Sequence, residues 1–222
     1  MMAENSAPAQ NVSPEKQRST GMNGRGISTR TKIIEEARRQ ITENGLKATT
    51  AATVAAAVGI PRPLFYHYFS NLDELAEKML DEIVNSFIRR LERWHAHSSN
   101  ESIDESLDTI IALWRTTHDE NSVFAAQLAS EGNTAMYMSF MIQTGDRFAR
   151  FLTESVVPTF TNRMEKPISH VYETLFSLII GVNELMRTHP DFSNEEIKHI
   201  VAQALRIEDE VNISHTDLHR FD

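Results

Sequence analysis

The sequence predicts an all-α protein: a three-helix helix-turn-helix head followed by a body of roughly six helices. Two observations carry this prediction. From Ser28 onward apolar residues recur at spacings of three and four, and no segment sustains the period-two alternation of a strand. Within that pattern, residues 50–69 read as two short helices joined at a glycine. Thr50 offers an N-cap hydroxyl, an alanine-rich run places Val54 and Val58 one turn apart, and Gly59 suits the left-handed residue that ends a helix. Pro61 and Pro63 then stand where prolines are tolerated, at the first turn of the next helix.

The remaining elements follow in order. Residues 1–26 are rich in Ser, Asn, Pro, Gly and Gln and are expected to form a disordered arm, because they bury too little apolar surface to offset ordering entropy. Met22 is an alternative start; otherwise the arm is real, and its Lys16, Arg18 and Arg25 would touch nucleic acid. Ile33, Ile34, Ala37 and Ile41 share one face of a first helix that stops at Asn44-Gly45. Asn71 caps a long fourth helix with a wide apolar stripe from Leu72 to Leu91, wide enough to be buried on two sides. Helices are expected over residues 103–117 and 122–130. A seventh, carrying Met136, Phe140, Phe148 and Leu152, should stop near Pro158. Pro167 opens an eighth that ends at His189-Pro190, and Ser193 with Glu196 forms a capping box for a ninth. These elements divide the chain into the arm, a helix-turn-helix domain at residues 27–71, a helical body at 72–207 and a polar, fraying tail at 208–222.

Composition narrows the class. The chain has 222 residues, 41% of them hydrophobic and 24% charged, and no cysteine, which excludes disulfide scaffolds, thiolate zinc sites and cysteine nucleophiles. No apolar run approaches the roughly 20 residues that span a bilayer, and no secretory signal opens the chain, so a cytoplasmic protein without a membrane partner is expected. The formal charge of −9 is unevenly spread. Residues 27–70 hold six basic side chains (Arg30, Lys32, Arg38, Arg39, Lys47, Arg62) against three acidic ones (Glu35, Glu36, Glu43), whereas the body is strongly acidic. A basic head on an acidic body fits a molecule of which one end approaches phosphates.

The stretch of residues 50–75, with Val54-Ala55, Val58-Gly59-Ile60, Tyr66-His67-Tyr68-Phe69 and Asp73-Glu74-Leu75, resembles the TetR family of bacterial transcriptional regulators. The resemblance is specific over about residues 28–80 and extends to the body only in the number and length of helices. It implies a head that binds a double-stranded DNA operator, a body that binds a small-molecule effector, and a homodimer paired through the last two helices. On the matching positions, Lys47, Thr50, Arg62, Pro63, Leu64, Tyr66, His67 and Tyr68 are the candidate DNA-binding residues. Three positions depart from the family pattern: Ala52 stands where many relatives have a basic side chain, Leu64 where a hydroxyl is common, and Leu72 where a phosphate-binding lysine is usual. Each lost phosphate contact removes about one unit from the salt slope of binding.

In the body, Trp114, His118, Met136, Phe140, Met141 and Phe176 are the candidate effector contacts, since thioether and aromatic side chains suit an adaptable apolar cavity. The same pattern also describes an ordinary core. Val171, Leu175, Leu178, Val182 and Met186, with Ile197, Val201 and Leu205, are the candidate dimer interface; burial within one subunit gives the same spacing.

An enzyme reading has one foothold. Glu92…His95 and Glu196…His199 match the Glu-x-x-His spacing of helical di-iron proteins. On helical wheels, however, Glu92, Glu196 and His199 fall away from the apolar stripes, so no catalytic residue, metal or cofactor is expected. The expected function is a ligand-responsive regulator, a repressor released from a near-palindromic operator when a small, largely apolar molecule binds the body. The alternatives are a DNA-binding regulator governed by a protein partner and a helical-bundle metal enzyme.

Overall fold

A computed structural model describes the backbone of residues 15–130, 134–160 and 168–212. The described backbone is helical, with no strand among its elements: α1 (Glu15–Asn44), α2 (Ala51–Val58), α3 (Arg62–Tyr68), α4 (Leu72–His95), α5 (Ile103–Ser130), α6 (Thr134–Phe151), α7 (Val157–Phe160), α8 (Val171–Thr188) and α9 (Asn194–Leu205). A π-helical turn, Leu152–Val156, joins α6 to α7, and a 3-10 turn, Glu208–Glu210, follows α9.

The caps foreseen in the head are formed. Thr50 accepts from the Thr53 amide and Thr53 returns the bond, Gly59 adopts φ 75°, and Asn71 accepts from the Glu74 amide at 2.7 Å to start α4. Ser193 and Glu196 form the reciprocal box at the start of α9.

Five expectations change. Helix α1 begins at Glu15 rather than Ser28, so the second half of the predicted arm is helical; no proline interrupts residues 15–44, and a nucleated helix propagates through them. Residues 1–14 lie outside the described residues. The two helices expected at 103–117 and 122–130 are one. The polar cluster between them contains neither glycine nor proline, and its side chains fold back on carbonyls of their own helix: Thr116 on Ala112, Thr117 on Leu113, Asn121 on Thr117 and Ser122 on Asp119. The chain passes Pro158 instead of stopping there. Proline has no N–H to close a bond to Glu154, and the wider π turn ends two positions before it, at Val156. Helix α8 begins at Val171, after His170 at φ 60°, while Pro167 lies outside the described residues. The start of the polar tail is tied down, since the Asn212 amide donates to Asp104 at 2.8 Å.

Two apolar cores result. The body core gathers Leu91, Ile111, Trp114, Phe148, Ile179 and Ile197 from α4, α5, α6, α8 and α9. The head core is built on Ile33, Ala37, Ile41, Val54, Phe65 and Phe69, and it runs on through Leu75, Met79, Leu80 and Ile83 of α4 to Phe124, Tyr137 and Met141 of the body. The boundary expected at residue 71 therefore crosses a continuous core, with α4 common to both sides.

Candidate functional site

The exposed face of α3 is set by what the opposite face buries. Phe65 and Phe69 are 0% and 1% exposed and lock the helix into the head core. Arg62, Pro63, Tyr66 and His67 consequently face solvent. Arg62 is the first residue of α3; its guanidinium donates to the Tyr66 hydroxyl at 3.0 Å and lies 5.5 Å from the centre of that ring. Tyr66 thus buttresses the arginine by a hydrogen bond and a cation–π contact. His67 meets the Tyr68 ring edge-on at 5.4 Å, and Tyr68 is half-buried against the head core, so packing is part of its role. Leu64 is half-buried, and Leu72 packs on the head core, which accounts for an apolar residue there. Thr50 and Lys47 are exposed beside the α1–α2 turn, though the Thr50 hydroxyl is already engaged with Thr53.

Behind the head, α4, α5, α6 and α8 enclose a cavity of about 410 Å³. Of the candidate effector contacts, Trp114, His118, Phe140 and Met141 line it. Met136 packs on the head core instead, and Phe176 stacks on Tyr172 at 6.1 Å outside the cavity wall. The sequence reading missed Ile83, Val84 and Phe87 of α4, along with Tyr137, Thr144 and Asn183; the stripe of α4, wide enough for two buried faces, was the available signal for the first three. Met186, assigned to the dimer interface, also lines the cavity. In its wall, the Trp114 indole N–H donates to Asn183 at 3.1 Å and its ring meets Phe148 edge-on at 5.3 Å.

Other members of the expected interface are interior as well. Leu175, Val182, Ile197 and Val201 are buried in the body core of a single chain, because they occupy the inward stripes of α8 and α9. Leu178, Leu205 and Val171 are half-buried. Leu178 lies at the edge of an open groove between α8 and α9 that also carries Thr174, Ser177, Gly181, Leu185, Ile200 and Ala204. A Cβ added at Gly181 would meet nothing within 4 Å.

Among the described residues, no group of three or more His, Cys, Asp or Glu side chains could hold a metal ion. Glu92 is exposed, and Glu196 accepts from Ser193 as the α9 cap. No helix among these residues is long and apolar enough to cross a membrane.

The family model described as bacterial regulatory proteins, tetR family, matches residues 33–79, from the C-terminal part of α1 through α2 and α3 to the first turns of α4. Residues 33–79 of the chain thus carry a TetR-type DNA-binding head. The HTH-type transcriptional regulator TtgR of Pseudomonas putida is 38% identical over 55 residues, which cover 25% of this chain and 26% of TtgR, so the match spans about a quarter of that relative's length. Solved structures share the fold beyond the head. A protein assigned to the TetR family from Syntrophomonas wolfei has a TM-score of 0.61 at 14% identity, covering 86% of this chain and 98% of its own. The flavonoid-responsive regulator FrrA has a TM-score of 0.55 at 19% identity, covering 82% and 94%.

Proposed function

We propose that this chain is a TetR-type DNA-binding transcriptional regulator that works as a homodimer and answers to a small, largely apolar effector. The observation that carries the proposal is the α3 surface: Phe65 and Phe69 anchor the helix while Arg62, Tyr66 and His67 project from it. Arginine reads guanine edges or phosphates, and tyrosine and histidine hydroxyl and ring N–H groups reach phosphates and bases. With two heads related by a two-fold axis, α3 of each would enter successive major grooves ~34–36 Å apart on a near-palindromic operator. The open groove between α8 and α9 supports pairing there, because Gly181 and Ala204 leave room for close helix approach.

Regulation follows from the shared core. The cavity wall includes Tyr137, Met141 and Ile83, which also belong to the head core, so a guest that shifts α4 or α6 shifts the seating of α3. The name of FrrA states that this structural relative responds to a flavonoid, which supports an effector-responsive body here. By linkage, effector and operator weaken each other's binding by the same factor. A titration of the purified chain against the DNA upstream of its own gene, at several salt concentrations and with and without effector, tests both halves. Binding with a steep negative salt slope and mutual weakening supports the proposal; no salt-dependent binding to any duplex selected from a random pool sinks it.

A further inference from the structure

We propose that the cavity between α4, α5, α6 and α8 takes an uncharged aromatic molecule and holds it through one hydrogen bond at the Thr144 hydroxyl. This rests on the reading of the cavity as the effector site and adds the chemistry that the site accepts. Charge decides the first part. The charged side chains around the cavity already have partners: Arg187 pairs with Glu184, His118 lies 3.1 Å from the Asp119 carboxylate, and Arg115 donates to the Phe192 carbonyl and, at 3.0 Å, to the Asn194 side chain. The Arg187 pairing holds the Glu184 carboxyl below the usual carboxylate range. An entering carboxylate or ammonium would lose its hydration and would have to draw one of these groups away from its present partners. The rest of the wall favours flat apolar guests, since Phe87, Trp114, Tyr137 and Phe140 present rings for edge and face contacts.

Hydrogen bonding decides the second part. The neutral polar groups of the wall are mostly spoken for. Asn183 accepts from Trp114 and donates to the Ile179 carbonyl at 3.0 Å; Asn121 accepts from Arg38 and donates to the Thr117 carbonyl at 2.6 Å. The hydroxyls of Thr117, Ser122 and Tyr137 donate to Leu113, Asp119 and Glu184. Thr144 differs. Its side chain lines the cavity, yet its Oγ1 is buried and has no hydrogen-bond partner among the described residues. Threonine in a helix has two accessible χ1 wells, so rotation about Cα–Cβ turns this hydroxyl to a guest, and a bond formed there satisfies a group that is otherwise buried unpaired.

The test is calorimetric titration of the full chain with four probes on one ring system: 2-naphthol, 2-methylnaphthalene, naphthalene-2-carboxylate and 2-naphthylmethylammonium. The expected order has 2-naphthol binding at least about tenfold more tightly than either ion. Thr144→Val, which keeps the shape, should weaken 2-naphthol by about twofold to tenfold and leave 2-methylnaphthalene unchanged. Ala126→Trp, at an exposed position on the rim, should block all binding while leaving the melting curve in place. Equal or tighter binding of an ion, or no effect of Thr144→Val on 2-naphthol, overturns the proposal while the cavity remains the effector site. Binding that survives Ala126→Trp overturns the cavity reading itself. Failure of all four probes to bind overturns the proposed ligand class, and the cavity reading then stands or falls with the operator and effector titration.

Discussion

At the scale of single residues, the α3 surface turns on one pair. Arg62 is held by Tyr66 through a 3.0 Å hydrogen bond and a ring contact, so its guanidinium is ordered before any DNA arrives. Such ordering lowers the entropy lost on binding. Arg62→Ala should cost about 1–3 kcal/mol of affinity for a selected operator, and relax its sequence preference if the contact is to a base. Tyr66→Phe keeps the ring and removes only the hydroxyl, so it should cost about 1 kcal/mol. Fluorescence anisotropy on both variants checks the pair; an Arg62→Ala variant that binds like the parent removes Arg62 from the interface. Individual positions were legible in the sequence where backbone chemistry allows few alternatives. Gly59 at φ 75° and the Thr50, Asn71 and Ser193 caps are of that kind. The division of apolar residues between core, cavity and surface was not legible: Met136 and Met141 are chemically identical, and only the packing of α6 sends the second into the cavity.

At the scale of elements, two polar links decide how helices are held. Lys198 on α9 is 3% exposed and lies 2.7 Å from both Asp104 and Asp108 of α5. Its bond holds the Asp104 carboxyl below the usual carboxylate range, with smaller help from Asn212. A carboxyl depressed in the folded state stabilises the fold above its unfolded value near pH ~4, and that contribution is lost as pH falls through the lower folded value. Asp104→Asn should therefore lower stability by roughly 1–3 kcal/mol at neutral pH. Urea denaturation across pH 2–7 should show the deficit shrinking toward the acid end; a constant deficit would assign the loss to packing. The second link joins head and body: the Arg38 guanidinium on α1 donates to Asn121 on α5, and Asn121 donates to the carbonyl of Thr117 beside it in the cavity wall. Arg38→Met should leave operator and effector affinities within about threefold, yet reduce the factor by which each weakens the other. An unchanged coupling factor in a two-ligand titration would leave the shared apolar core as the connection. Periodicity predicted most of these helices. It failed at α5, where polar residues read as a break because their bonds to carbonyls of the same helix are invisible in a one-dimensional pattern.

At the scale of the whole molecule, charge and packing divide the chain differently. By charge the head is separate, with six basic against three acidic residues at 27–70 on an acidic body. By packing it is not, because its core continues through Leu75, Met79, Leu80 and Ile83 to Phe124, Tyr137 and Met141. The sequence displayed the first division openly; the second depends on side chains brought together across more than fifty positions, which no local pattern records. A segment cut at residue 71 would strip Leu75, Met79, Leu80 and Ile83 from the head core, and at roughly 25 cal/mol per Å² of buried apolar surface that loss exceeds what so short a chain can spare. Residues 27–71 alone should therefore show weak helicity by circular dichroism and no cooperative melt, whereas the full chain should unfold in one transition, with calorimetric and van't Hoff enthalpies in agreement. Two well-separated transitions would mean that the head folds independently. The shared core would then be too weak to carry a signal, because a body that cannot alter the stability of its head cannot alter the seating of α3 either.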